Sequence, residues 1–173
     1  MRECLNDIRI VMESLEPSAH DLTTLLGTLR QRFAGRLEAA GLQLDWHVAD
    51  LPPLPWLDAP QALDILRVVQ EIITNTLKHA HATQLRIAAS LVQAPGQLLG
   101  QPSAVLLTLA DNGQGFSLAA QPTAKGLGNI RTRLARVGAG LAVVSQPGQG
   151  VCYRICLPLE LPGIDAQFNL AAR

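Results

Sequence analysis

Residues 58 to 80, DAPQALDILRVVQEIITNTLKHA, carry the pattern that most restricts what this chain can fold into. At about 100° per residue, Ala62, Ile65, Leu66, Val69, Ile72, Ile73, Leu77 and Ala80 share one broad face of a helix. Such a face must be covered by a core. Glu71, Asn75 and Lys78 fall in a narrow arc on the opposite side. Asparagine is a modest helix former because its amide competes for the backbone, so its place here needs a reason.

The rest of the chain supplies the covering layer. Leu22, Leu25, Leu26, Leu29, Phe33 and Leu37 form a stripe on a helix from about Asp21 to Ala40, closed by Gly41. LQLDWHV at 42–48 alternates as a half-buried strand does. A Pro-rich loop follows, with Asp58 as N-cap of the opening helix, which ends near His79. Strands are expected at about 84–92 and 104–110, a helix at about 127–138, and two final strands at about 141–146 and 151–157 joined by PGQG. Before all of these, Leu5, Ile8, Met12 and Leu15 make a short heptad seam suited to a partner helix. The expected fold is α+β, a two-layer α/β sandwich with a mixed, mainly antiparallel sheet and one helical layer.

Bulk properties narrow the function. The chain has 173 residues, 14 basic and 14 acidic, and the balanced charge argues against a nucleic-acid surface. No apolar run approaches the ~20 residues of a membrane span, and no signal peptide is visible, so no membrane contact is expected. Cys4, Cys152 and Cys156 lack metal-ligand spacing and read as structural thiols. A reducing cytoplasm is the expected compartment.

The polar arc on the opening helix admits two readings. One is a solvated face with weak side-chain pairs. The other is a nucleotide site in which the Asn75 carbonyl supplies a hard oxygen to Mg²⁺ and Lys78 a point charge to phosphate. Two glycine segments decide between them. DNGQGF at 111–116 ends the apolar strand AVLLTLA, a turn where backbone approaches something closely. Asp111 there can accept a hydrogen bond from an exocyclic amine, which favours adenine over guanine. KGLGNIRTRLARVG at 125–138 is a second glycine turn opening a helix, whose N-terminus suits phosphate. Lys125 stands beside it, Arg131 and Arg133 follow, and Lys78 and Lys125 are the chain's only lysines.

In this order the segments resemble the ATP-binding domain of bacterial sensor histidine kinases, in the branch of the nitrate/nitrite sensors and the Bergerat-fold superfamily that includes gyrase B and MutL. QEIITNTLKHA resembles the N-box, DNGQGF and KGLGNIRTRL the two glycine boxes, and GAGLAVVSQPGQGVCYRICLPL the closing hairpin. The resemblance covers about residues 21 to 159. It implies ATP and Mg²⁺ as cofactors, with Asn75 the metal ligand, Lys78 and His79 phosphate contacts, and Asp111 the adenine reader in a turn shaped by Gly113 and Gly115. Lys125, Gly126, Leu127 and Gly128 would form the phosphate lid. Glu71 occupies the position that polarises water in hydrolysing members, so Glu71 and Asn75 are the catalytic candidates.

Three departures from the family pattern stand out. Val151 replaces a frequent threonine after the hairpin glycine. The stretch between Phe116 and Gly126 is short, implying a small lid. The phosphate-accepting histidine is missing, since His20, though followed by Asp21, falls in a break between helices.

The resemblance therefore implies the Mg·ATP-binding catalytic domain of a two-component kinase that phosphorylates a histidine outside this fragment. Residues 1–16 would be the remnant of a dimerisation helix, 17–159 the catalytic domain and 160–173 a loose tail. Its partners would be the histidine-bearing dimerisation helices of the same kinase and a downstream response regulator, with a homodimeric parent and a monomeric fragment. Two alternatives stay open: a stand-alone ATPase or anti-sigma-type serine kinase using Glu71, and a non-catalytic module with a vestigial site.

Overall fold

The computed structural model describes residues 21–93, 103–117 and 125–160. The seam at residues 2–15, the break containing His20, and the tail beyond residue 160 lie outside the described residues.

Helix α1, Leu22–Ala39, matches the expected range to within a residue, and Asp21 is its N-cap. Asp21 is extended, and its carboxylate accepts from the Thr24 N–H at 3.0 Å and the Thr24 hydroxyl at 2.6 Å. The helix buries the six-residue stripe from Leu22 to Leu37. It ends in a Schellman turn: Gly41 takes φ 65, and the Leu42 and Gly41 N–H groups return to the Leu37 and Glu38 carbonyls. Strand β1, Gln43–Val48, follows directly.

Helix α2, Ala59–Asn75, starts differently from the expected cap. Asp58 holds the cap position in extended backbone, but its side chain makes no cap bond. Its carbonyl accepts from Ala62 N–H instead, and Pro60 in the first turn removes a donor that would otherwise need a partner. The Pro-rich loop before it is anchored at depth by the Trp56 indole N–H, which donates to the Pro158 carbonyl at 2.8 Å.

Past Asn75 the helix widens into a π-helical turn, Thr76–Ala80, and His81 ends it in the left-handed region at φ 50. Strands β2, Gln84–Val92, and β3, Ala104–Asp111, lead to helix α3, Lys125–Arg136. The described chain closes with β4, Gly140–Ser145, and β5, Val151–Pro158.

The five strands form one sheet in the order β1-β2-β3-β5-β4. Only β1 and β2 run parallel; the other neighbours are antiparallel. Alternation sorts the strands into two faces. Leu85, Ile87 and Ala89 of β2, Val105, Leu107 and Leu109 of β3, and Val151, Tyr153, Ile155 and Leu157 of β5 join the core with all three helices. This is the two-layer α+β sandwich with one helical layer. A minor apolar cluster of Ala104, Cys156 and Val92 lies apart from it, and Cys152 and Cys156 are free thiols.

Candidate functional site

The register that builds the core also places the first site residue. Asp111 continues the inward row Val105, Leu107, Leu109, one position past the last apolar member, so a carboxylate ends a buried row under the helix layer. Its Oδ1 accepts from the Gly113 N–H at 2.9 Å, and its Oδ2 from the Thr76 hydroxyl at 3.3 Å. Thr76 is 4% exposed and sits on the apolar side of the helix, where its hydroxyl needs this partner.

The glycine turn beyond Asp111 is clamped to the π turn. The Gln114 N–H donates to the Ala80 carbonyl and the Gln114 side-chain amide to the His79 carbonyl, each at 2.7 Å. A Cβ on Gly113 would collide with that same Ala80 carbonyl. Gly115 takes φ 58, and a Cβ there would strike the Gln146 carbonyl of the β4–β5 turn. Asn112 fixes the other side: its Oδ1 accepts from the Thr83 and Gln84 N–H groups at 3.0 and 2.9 Å. Ser145 accepts from Phe116 N–H at 2.8 Å and donates to the Gly150 carbonyl at 3.1 Å.

Between the π turn, the end of β3, strand β5 and the start of α3 lies a cavity of about 480 Å³. Glu71, Asn75, His79, Asp111, Gly115, Gly126 and Leu127 line it, which brings together seven of the residues singled out from sequence. The start of α3 approaches α2 closely: a Cβ on Gly126 would stand 3.0 Å from Glu71 Oε1 and 3.4 Å from Asn75 Nδ2. Arg133 of α3 meets Asp64 of α2 at 2.7 Å, with Arg136 at 3.8 Å from the same oxygen. That pairing places Arg133 on the helix–helix seam and away from the cavity, where the sequence had set it beside the phosphate turn.

The remaining candidates lie elsewhere. Lys78 is exposed and off the cavity wall. The π turn explains this: bonds closed i→i+5 advance less than an α-helix per residue, so Lys78 rotates further from Asn75. His79 is exposed yet lines the cavity. Gly113 packs behind the wall, Gly128 is exposed on α3, and the Lys125 side chain lies outside the described atoms.

Sequence reasoning missed Thr76, Asn112, Phe116, Ser145, Gly150 and Tyr153. A hydroxyl inside the apolar stripe at Thr76 and a tyrosine among the inward residues of the last strand were the available signals. Burial, then the Asp111 and Glu71 charges, push the Tyr153 phenol up to about 12.

Chemically, the cavity offers a carboxylate acceptor at one end, the Glu71 carboxylate and the Asn75 amide at the other, and the start of helix α3 beside them, a place that suits an anion. The family model for the histidine kinase-, DNA gyrase B- and HSP90-like ATPases matches residues 61–161, more than half of the chain. The chain belongs to this ATPase family. The sensor protein VraS of Staphylococcus epidermidis is 30% identical over 106 residues, 60% of this chain and 28% of the relative, so the match spans little over a quarter of that protein. Among solved structures, the histidine kinase AdeS of Acinetobacter baumannii superposes with a TM-score of 0.64 at 16% identity, covering 91% of this chain and 78% of that one. Full-length ShkA in complex with AMPPNP gives a TM-score of 0.61 at 23% identity, covering 80% of this chain and 30% of that one. These likenesses establish the ATPase-family fold, with the cavity at the junction of its glycine turns and α2. No helix among the described residues is long and apolar enough to cross a membrane.

Proposed function

We propose that this chain is the Mg·ATP-binding catalytic domain of a sensor histidine kinase, acting on a histidine carried by a dimerisation helix. The observation that carries this reading is the convergence of Glu71 and Asn75 of α2, Asp111 at the end of β3 and Gly126 at the start of α3, three separate segments, on one cavity. A volume of about 480 Å³ falls in the range of small-molecule sites.

Asp111 binds the exocyclic amine of adenine. Gly113 N–H and Thr76 take up part of its acceptor capacity and fix its direction. The triphosphate lies toward Asn75, under the start of α3, where the absence of a side chain at Gly126 leaves room against Glu71. The donor set there fits Mg²⁺: the Asn75 amide and the Glu71 carboxylate line the same wall and can offer hard oxygen ligands. Asn75 is the protein ligand, and the ion would supply charge neutralisation on the phosphates. The residues' own part is positioning: α2 and α3, pinned through Asp64 and Arg133, hold the phosphate end at a fixed distance from the base reader. Residues 17–159 form the catalytic domain, residues 1–16 belong to a dimerisation helix, and the setting is cytoplasmic. A response regulator receives the phosphoryl group next.

Calorimetric titration with a non-hydrolysable ATP analogue tests the reading. Binding is expected only with Mg²⁺, not with the guanine analogue, and is lost in Asn75→Ala and Asp111→Ala. No binding at millimolar ligand, or equal binding of both bases, would sink it.

A further inference from the structure

Strand β5 faces the cavity with two residues, Val151 and Tyr153. Val151 pairs with Asp111 across the ladder and Tyr153 with Leu109, so the phenol stands diagonally behind the carboxylate on the same inward face. Tyr153 is only 5% exposed, yet its hydroxyl has no hydrogen-bond partner among the described residues. The hydroxyl oxygen is not among the described side-chain atoms sealed from solvent without a partner, so it stays accessible to a ligand, and tyrosine hydroxyls in such half-enclosed places usually take one up. The opening it faces is the cavity itself.

We propose that Tyr153 is a nucleobase-binding residue whose O–H donates to N1 of adenine, beside the 6-amino group taken by Asp111. The inference rests on the nucleotide reading above and assigns it a second base contact. Ionised Asp111 is an acceptor only, and a neutral phenol beside it can supply the donor, though its oxygen can also accept. Adenine presents the complement, an amino donor next to a ring-nitrogen acceptor, whereas guanine presents O6 next to an N1–H. The pair therefore matches adenine twice, whereas against guanine the carboxylate meets the O6 acceptor and only the phenol, which can also accept, adapts to N1–H. Burial and the two flanking carboxylates keep the phenol protonated well beyond neutral pH, so the donor is present under all working conditions. The contact also gives the wall a polar group on the strand where Val151 has none.

Tyr153 is the chain's only tyrosine, which makes it directly observable. The test compares ADP with 1-deaza-ADP, both with Mg²⁺, by calorimetry on the wild type and Tyr153→Phe, and follows the single resonance of [¹³Cζ]tyrosine-labelled wild type. Phenylalanine keeps the ring packing, and thermal midpoints report that both chains fold. Tyr153→Phe is expected to bind ADP about 3- to 10-fold more weakly, while the two chains bind 1-deaza-ADP alike and the resonance shifts with ADP. Unchanged ADP affinity in Tyr153→Phe, or an unmoved resonance, would overturn the inference. Equal losses on both ligands would place the hydroxyl's partner away from N1 and overturn it as well. Failure of the wild type to bind ADP would overturn the nucleotide reading and this contact together, whereas ADP binding indifferent to Tyr153 removes only the latter.

Discussion

At the scale of single residues, Gly113 carries a steric constraint that can be tested without touching a polar group and without the positive φ of Gly115 and Gly150. Its φ is not positive, so conformational freedom is not the issue; room is. The obstacle is the Ala80 carbonyl, which already accepts from Gln114 and ends the π turn. Backbone cannot swing aside as a flexible side chain can. Gly113→Ala is therefore expected to cost about 1–3 kcal/mol, lowering the thermal midpoint by several degrees and loosening Asp111, whose Oδ1 holds the Gly113 N–H. Gly35→Ala in α1, where nothing lies within 4 Å, is the matched control and should leave the midpoint unchanged or raise it. A Gly113→Ala chain as stable as the control would mean the turn shifts freely. The close approach at this glycine was legible in DNGQGF, but not the identity of what it approaches. Thr76 and Asn112 were harder to see, because a lone hydroxyl or amide has many local partners and only the fold selects Asp111 for one and the start of β2 for the other.

At the scale of elements, boundaries followed from periodicity because caps and glycines punctuate it. Gly41 ends α1 as its position requires, and the stripe from Leu22 to Phe33 is buried throughout. The π turn was not legible, since a turn closed i→i+5 differs from an α turn by a single residue and leaves the apolar spacing nearly unchanged. Its consequence is nonetheless functional: Lys78 turns off the wall while Asn75, the last α-helical residue, stays on it. Asp21 shows what a cap contributes. Its bond from the Thr24 side chain, with further backbone bonds, holds its carboxyl below the ordinary 3.8 despite opposing desolvation. A depressed folded pKa means stability present above the unfolded value and lost as pH falls through the folded one. Asp21→Ala should thus cost about 1 kcal/mol at neutral pH, and the difference from wild type should shrink as pH drops below 3.8. Denaturant midpoints at pH 7 and pH 3 measure it. A gap that does not narrow would show that the cap acts through packing and not through charge.

At the scale of the whole molecule, strand existence was readable but strand order was not. Alternation marks each strand's two faces, yet nothing local says that β5 inserts between β3 and β4, or that β1 joins β2 in parallel. That order matters because it sets Val151 opposite Asp111 and brings the β4–β5 turn against Gly115. The cavity is thus walled by segments remote in sequence, from Glu71 to Tyr153, and a ligand bridging them binds the folded chain alone. Linkage then gives a global readout. At a free nucleotide concentration 100 times Kd the folded state gains about 2.7 kcal/mol, which for a chain of this size raises the thermal midpoint by roughly 5–11 °C. The rise should continue with the logarithm of concentration and require Mg²⁺. Asn75→Ala should melt near the wild-type temperature without nucleotide, since Asn75 is half-buried, sits outside the apolar core and makes no hydrogen bond to described residues that its loss would orphan. With Mg·ATP it should show little or no rise. A wild-type midpoint indifferent to millimolar Mg·ATP would mean that no nucleotide ties these segments together. A rise equal in Asn75→Ala would instead keep the nucleotide and remove Asn75 from the metal site.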